Sequence, residues 1–384
     1  MADKTPANKI SAITKTLLNA KHVYNRYETI DYTVPTGSLA LDVMTGGGFH
    51  PGVVRFVGQS MGGKTSEAFQ VMQNVFQIRP RSRGIYIKTE RLSKKTERRI
   101  GVKVVKSEED WVNHTCLMVE CSIYETVSQF IIDLIMANIE LPEEEREQFV
   151  FIIDSLDFLI LEADFEKSAS EAFKVAGPQV ITKKLMAKII VPLAKFGHFG
   201  LFISQATAQP KIDPYAKVIP RIAGDISGGN AIVHAADHIL EFMARNQGDY
   251  ILEDPKAKPD GKSNKTLGHY VKIVFRKSDN EKYNQKVQYP IKYARTNGQS
   301  IWIERETVDK VIEYGLLNKK GSWFEIPESY RDELASEGLP AQIQGMNKLY
   351  DIFEEKPRVC KFFYDKLMMV LTEDDLAIKE EDAE

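Results

Sequence analysis

The chain has 384 residues, with Lys+Arg 51 against Asp+Glu 54 and a formal charge of -3. That length allows a large core with smaller ends, and the balance excludes a globally basic protein, so any polyanion binding must come from local clusters. The three cysteines, Cys116, Cys121 and Cys360, exclude a disulfide framework or a four-cysteine zinc site and point to a reduced, cytoplasmic setting. No run approaches the ~18 to 20 apolar residues of a bilayer span, and the first residues carry no apolar leader core. A soluble protein with no membrane partner is expected.

Residues 1–30 place Lys4, Lys9, Lys15, Lys21 and Arg26 around Ile10, Ile13, Leu17 and Leu18. That spacing predicts a small amphipathic helix on a basic arm, too small to fold alone. It needs a surface, either its own core or a neighbouring subunit. From 31 to 300, apolar runs at 53–57, 84–87, 115–119, 149–153 and 199–203 alternate with helical patterns at 64–78, 123–139 and 179–195. Further β-type runs follow at 239–243, 270–275 and 287–293. Such alternation predicts an α/β core with a mostly parallel sheet. The acidic piece 143–147 reads as a solvated connection, 205–229 has neither helix nor strand period, and 247–267 is a polar loop. In the C-terminal region, 301–370, helices are expected at 307–314 and 346–353, with a turn at 321–324 leading into an aromatic anchor. The acidic tail, 371–384, is expected to be disordered.

Chemistry concentrates in the core. Gly58-Gln59-Ser60-Met61-Gly62-Gly63-Lys64-Thr65 is a G-x-x-x-x-G-K-T phosphate loop directly after the run 53–57. A glycine-rich turn between a strand end and a helix start lets backbone N–H groups face phosphates, and the helix dipole adds positive potential. Lys64 is expected against the outer phosphates and the Thr65 hydroxyl on Mg2+. Asp154 closes the run 149–153, where its carboxylate reaches the Mg2+ shell beside Thr65. Hydrolysis also needs a water-positioning group from another strand end, and Glu90, after 84–87, is the natural candidate. The run 199–203 leads to Ser204-Gln205, whose amide is placed to hydrogen-bond the terminal phosphate or the attacking water.

Pro35-Thr36-Gly37-Ser38-Leu39-Ala40-Leu41-Asp42, then the phosphate loop, Thr89-Glu90, Ile153-Asp154-Ser155, Ser204-Gln205 and Ser227-Gly228-Gly229-Asn230-Ala231, form an ordered series. It resembles the RecA family of homologous-recombination ATPases, most of all the phage UvsX-type members, over residues 30 to 325. The resemblance implies a RecA-type ATPase core with a small N-terminal helical arm and a small C-terminal α/β region. It implies ATP and Mg2+ as ligands, Glu90 activating water, and Gln205 coupling the terminal phosphate to the loop that follows. It further implies DNA loops near 163–178 and 206–227 lining a single-stranded DNA path inside a helical filament, and host cytoplasm if the protein is phage-encoded.

A groove that tracks a phosphate backbone needs cations on glycine-bearing loops. Lys183, Lys184, Lys211, Lys217 and Arg221 supply charge, Tyr215 a wedge or stacking ring, and Gly228, Gly229 and Asn230 the end of the second loop. In the resembled family a neighbouring protomer also completes the active site with cations. Lys277 matches one of these, the other falls on Phe275 with Arg276 beside it, and Glu97 stands where the family stacks an aromatic ring on the base. The expected function is an ATP-dependent recombinase that polymerises on single-stranded DNA and pairs it with homologous duplex, with single-strand-binding and mediator proteins as further partners. Two other readings stay open: a regulatory paralog or mediator without strand exchange, and a ring-forming helicase or motor on the same core.

Overall fold

A computed structural model describes residues 6–90, 94–166, 177–205, 229–255, 257, 264–280 and 282–381. The helix expected in the basic arm is α1 (Pro6–Leu18), followed by α2 (Leu39–Thr45). The apolar runs then form β1 (Gly52–Gly58), β2 (Ser82–Lys88), β3 (Lys103–Val105), β4 (Thr115–Val119), β5 (Gln148–Asp154) and β6 (Phe199–Gln205). Between them lie α3 (Lys64–Ile78), α4 (Lys94–Arg99), α5 (Tyr124–Glu140), α6 (Glu162–Phe165) and α7 (Gly177–Lys195). Next come α8 (Gly229–Ala235), β7 (His238–Phe242), β8 (Tyr250–Leu252), β9 (Thr266–Lys277) and β10 (Lys286–Lys292). The sheet order is β10-β9-β7-β1-β6-β5-β2-β4-β3, with β8 paired to β9. From β7 through β3 every pairing is parallel, and β8, β9 and β10 join antiparallel. The protein is therefore an α/β structure with a mostly parallel central sheet.

All seven residues of β1 are buried, as are all seven of β5. Helices on both faces of a parallel sheet require this, which is why the runs show no polar alternation. On one face, Val54, Phe56, Tyr86, Val150 and Ile152 pack with Phe69, Met72 and Val75 of α3. On the other, Val53, Val57, Ile85, Ile87 and Phe151 pack with Ile131 and Ile135 of α5 and Leu185 and Ile189 of α7.

A third core holds the C-terminal region: α9 (Ile303–Glu313), β11 (Asn318–Lys320), β12 (Trp323–Glu325), α10 (Glu328–Arg331), β13 (Gln342–Gln344), α11 (Met346–Glu355) and α12 (Pro357–Glu381). The three strands form a separate antiparallel sheet. Three-residue strands are too short to show a period of two, so β3, β8, β11 and β13 carry no sequence signal. The aromatic anchor proves to be Phe324, 1% exposed, while Trp323 is 43% exposed, because successive residues of β12 face opposite sides. The expectation of a disordered tail from 371 is corrected for 371–381, which continue α12. Val359, Phe363 and Leu367 recur at helical spacing in the third core and carry the helix into the acidic segment;. Residues 382–384, and the aperiodic stretch 206–228, lie outside the described residues. On α1, Ile10, Ile13 and Leu17 are 62 to 68% exposed, whereas Tyr24 and Tyr27 later in the arm pack on the protein's own core against Phe196. The acidic connection 143–147 is exposed through Glu145 but anchored at its end, where Glu147 pairs with Arg83.

The T-G-S-L-A-L-D segment is fixed by buried carboxyls. The Thr36 N–H donates to Asp42 Oδ1 (2.6 Å), and Ser38 Oγ and the Ala40 N–H donate to Glu306 Oε1 of α9 (2.6 and 2.8 Å). Nearby, Tyr289 of β10 donates to Glu67 of α3 at 2.7 Å. Burial pushes Asp42 and Glu306 up to about 7 and Glu67 to about 8, so each folded value lies above the ordinary carboxyl range. Their stabilisation is complete at acidic pH, where both states are protonated. It is lost as pH rises through the folded values, because the unfolded chain ionises first. Stability in urea should fall by a few kcal/mol between about pH 5 and about pH 8.5. Glu306→Gln should flatten that slope, and a slope unchanged in the variant would remove Glu306 from the cause.

Candidate nucleotide site at the carboxyl edge of the sheet

In a parallel sheet all carboxyl ends open on one edge, and a crevice forms there where neighbouring strands are followed by helices on opposite faces. Here that edge gathers the ends of β1, β2, β5 and β6. Gly58 pairs with Gln205 and Lys88 with Asp154. The residues singled out by sequence therefore come from separate parts of the chain to one place.

The loop 58–65 joins β1 to α3 through a tight backbone. Gly58 has φ 145, and a Cβ there would lie 2.2 Å from the Phe242 carbonyl oxygen of β7. Gly63 has φ 110 and caps α3 without a side-chain bond, leaving the first-turn N–H groups facing the loop;. Met61, at φ 64, stands out at the exposed tip. Lys64 folds back and donates to the Gly58 and Gln59 carbonyls at 2.7 and 2.8 Å. Burial lowers its pKa, and Asp154, Glu90 and Asp157 oppose that shift.

Thr65 Oγ1 donates to Asp154 Oδ2 at 2.7 Å, and the Tyr86 hydroxyl approaches the same oxygen at 3.3 Å. One hydroxyl and one carboxylate side by side are the hard oxygen ligands that Mg2+ takes from protein when phosphates and water supply the rest. Burial raises the Asp154 pKa, the Thr65 bond lowers it, and the charge of Glu90 raises it again. A divalent cation beside this carboxylate would favour its ionised form.

Glu90 sits just beyond β2, with its N–H on the Asp154 carbonyl (3.3 Å). Its Oε1 accepts from Ser155 Oγ at 2.8 Å and from Gln205 Nε2 at 2.7 Å. Gln205 Oε1 in turn accepts from Ser60 Oγ of the phosphate loop at 3.1 Å. The amide thus spans the loop and the glutamate, with both its donor and acceptor ends in use. Its backbone N–H donates to Asp157 Oδ2 at 2.6 Å. Sequence reasoning assigned no role to Ser155, although it stands in the motif series, nor to Tyr86 or Asp157. Arg55 was passed over as well, although a cation inside the otherwise apolar Val53-Val54-Arg55-Phe56-Val57 is itself a signal.

The remaining candidates are scattered. Lys183 and Lys184 are exposed on α7, and Gly229 and Asn230 open α8. Lys211, Tyr215, Lys217, Arg221 and Gly228 lie outside the described residues. Lys277, at the end of β9, donates to the Val233 and His234 carbonyls at 3.2 and 3.0 Å, so within one chain it holds the C-terminal end of α8. Arg276 pairs with Glu241 and donates to Asn284 Oδ1 at 2.8 Å, Phe275 is fully buried in the core, and Glu97 is exposed on α4.

Fold and site together define an α/β protein whose mostly parallel sheet is compatible with a phosphate-loop core. No protein-family model matches the chain, and no curated protein does. Gly58→Ala should destabilise the fold by about 1 to 3 kcal/mol, because the β1–β7 approach leaves no room for a methyl group. A thermal melt at the wild-type temperature would show the loop to be looser than its geometry.

Proposed function

We propose that the protein is an ATP-dependent DNA recombinase that assembles on single-stranded DNA and pairs it with homologous duplex. The observation that carries this reading is the chain Ser60–Gln205–Glu90. One neutral amide touches the phosphate loop and the water-positioning glutamate, and it ends the strand that leads directly into 206–227, the stretch the resemblance assigns to DNA. A terminal phosphate arriving at Ser60 and Lys64 offers Gln205 a new acceptor and frees Glu90 to orient water. Thr65 and Asp154 would hold Mg2+, which would supply positive charge beside the outer phosphates;. Phosphate occupancy is thereby coupled to the start of the DNA loop, a nucleotide-controlled ordering of a segment. The ordered series of motifs supplies the DNA part of the reading.

A second reading, a filament partner that binds nucleotide without exchanging strands, is favoured by Phe275 lying in the core and Arg276 being committed to Glu241. In an exchanging filament Arg276 would have to act across a subunit boundary in place of the uncharged Phe275.

ATP turnover with and without single-stranded DNA, alongside negative-stain microscopy, tests the assignment. DNA-stimulated turnover with open helical filaments is expected. Closed rings favour a motor, and filaments that fail in a strand-exchange assay favour the second reading. Glu90→Gln should keep ATP binding and slow hydrolysis by about 100-fold or more. Turnover at the wild-type rate would place the water-activating group elsewhere.

A further inference from the structure

Gln205 is the last residue of β6, and its side chain works only if the backbone beneath it is fixed. On the β1 side it is paired with Gly58, but the β5–β6 ladder ends earlier, at Ile153 with Phe202. Beyond that point the Gln205 N–H meets the Asp157 carboxylate at 2.6 Å. Asp157 belongs to a single 3-10 turn, Leu156–Phe158, that follows β5.

Beneath lies Arg55, wholly buried in the middle of β1, with Nε and Nη2 3.3 and 3.2 Å from Ser204 Oγ. A buried guanidinium costs several kcal/mol unless it is compensated. Burial lowers the Arg55 pKa to about 10, and Asp157 is the charge that most opposes the shift. Asp157 also opposes the lowering of Lys64. The carboxylate therefore stands among two cations and a backbone donor, where its hydrogen bond is charge-assisted and strong.

We propose that Asp157 is a positioning residue for Gln205, holding the end of β6 over buried Arg55 so that one amide can reach Ser60 and Glu90 together. The inference rests on the proposed nucleotide switch and adds a strut beneath its sensor. Loss of the strut lets the β6 terminus move away from the ladder, and the amide then engages the loop or the glutamate but not both. Nucleotide binding, carried by the phosphate loop, is left in place.

The test compares Asp157→Ala, Asp157→Asn, Gln205→Ala and the double Asp157→Ala/Gln205→Ala in the full chain. The readouts are ATP affinity, DNA-stimulated turnover and hydrogen exchange at the Gln205 amide. Asp157→Ala should lower stimulated turnover by about tenfold or more, as loss of a hydrogen bond to a charged group predicts, with ATP affinity changed by less than about twofold. Asp157→Asn keeps an acceptor oxygen and should recover part of the rate. The double variant should be no worse than Gln205→Ala, because both act through one side chain. Additive losses, or wild-type turnover in Asp157→Ala, would overturn the proposal. If the wild-type protein shows no DNA-stimulated turnover, the switch itself fails, and amide exchange decides the strut alone. Protection at Gln205 lost in Asp157→Ala upholds it, and protection retained removes it.

Discussion

Burial of both faces of a parallel sheet governs this molecule. With helices above and below, the central strands place their polar chemistry at their ends, with buried Arg55 of β1 the exception, and the parallel direction brings those ends to one edge;. The end of β1 becomes the phosphate loop, the end of β5 becomes Asp154, the residue just past β2 is Glu90, and the end of β6 is Gln205. No long-range contact has to be invented to gather them. The antiparallel β8, β9 and β10 lie on the other side of β7, with Val271 of β9 reaching Gly63 of the loop.

How much of this was legible follows from the same constraint. The strands at 53–57 and 149–153 were readable because doubly buried strands are nearly unbroken apolar runs, and α3 because its apolar residues keep a helical period behind a glycine turn. The strand ends carrying Glu90, Asp154 and Gln205 were readable as the polar residues just past each run. The short strands were not, and the extent of α12 was hidden because acidic composition and helical period point in opposite directions over 371–381. Site residues were missed where their role depends on register. Asp157 matters only because the β5–β6 ladder stops at Ile153 and Phe202, and nothing in Leu156-Asp157-Phe158 announces where a neighbouring strand will end.

The buried polar groups divide into two kinds. Asp42 closes the segment before the phosphate loop on itself, Glu306 ties that segment to the C-terminal region, Glu67 ties α3 to β10, and burial holds all three toward the neutral form. They fix the frame. Asp154, Lys64, Glu90 and Gln205 stand where phosphate oxygens and a cation would change their partners. The first kind rewards rigidity, since an orphaned buried carboxyl is costly, while the second must tolerate exchange of one partner for another.

Lys64 illustrates that exchange. Its ammonium rests on the Gly58 and Gln59 carbonyls, so the loop is already occupied by its own side chain. A phosphate entering there would replace two short bonds rather than fill an empty place, and its affinity would be the difference between two well-made arrangements. Under the proposed function, such a loop would keep its shape between turnovers, discriminate against ligands that take only part of the lysine's bonding capacity, and let product leave without collapse, because the chain's own oxygens would succeed the departing ones.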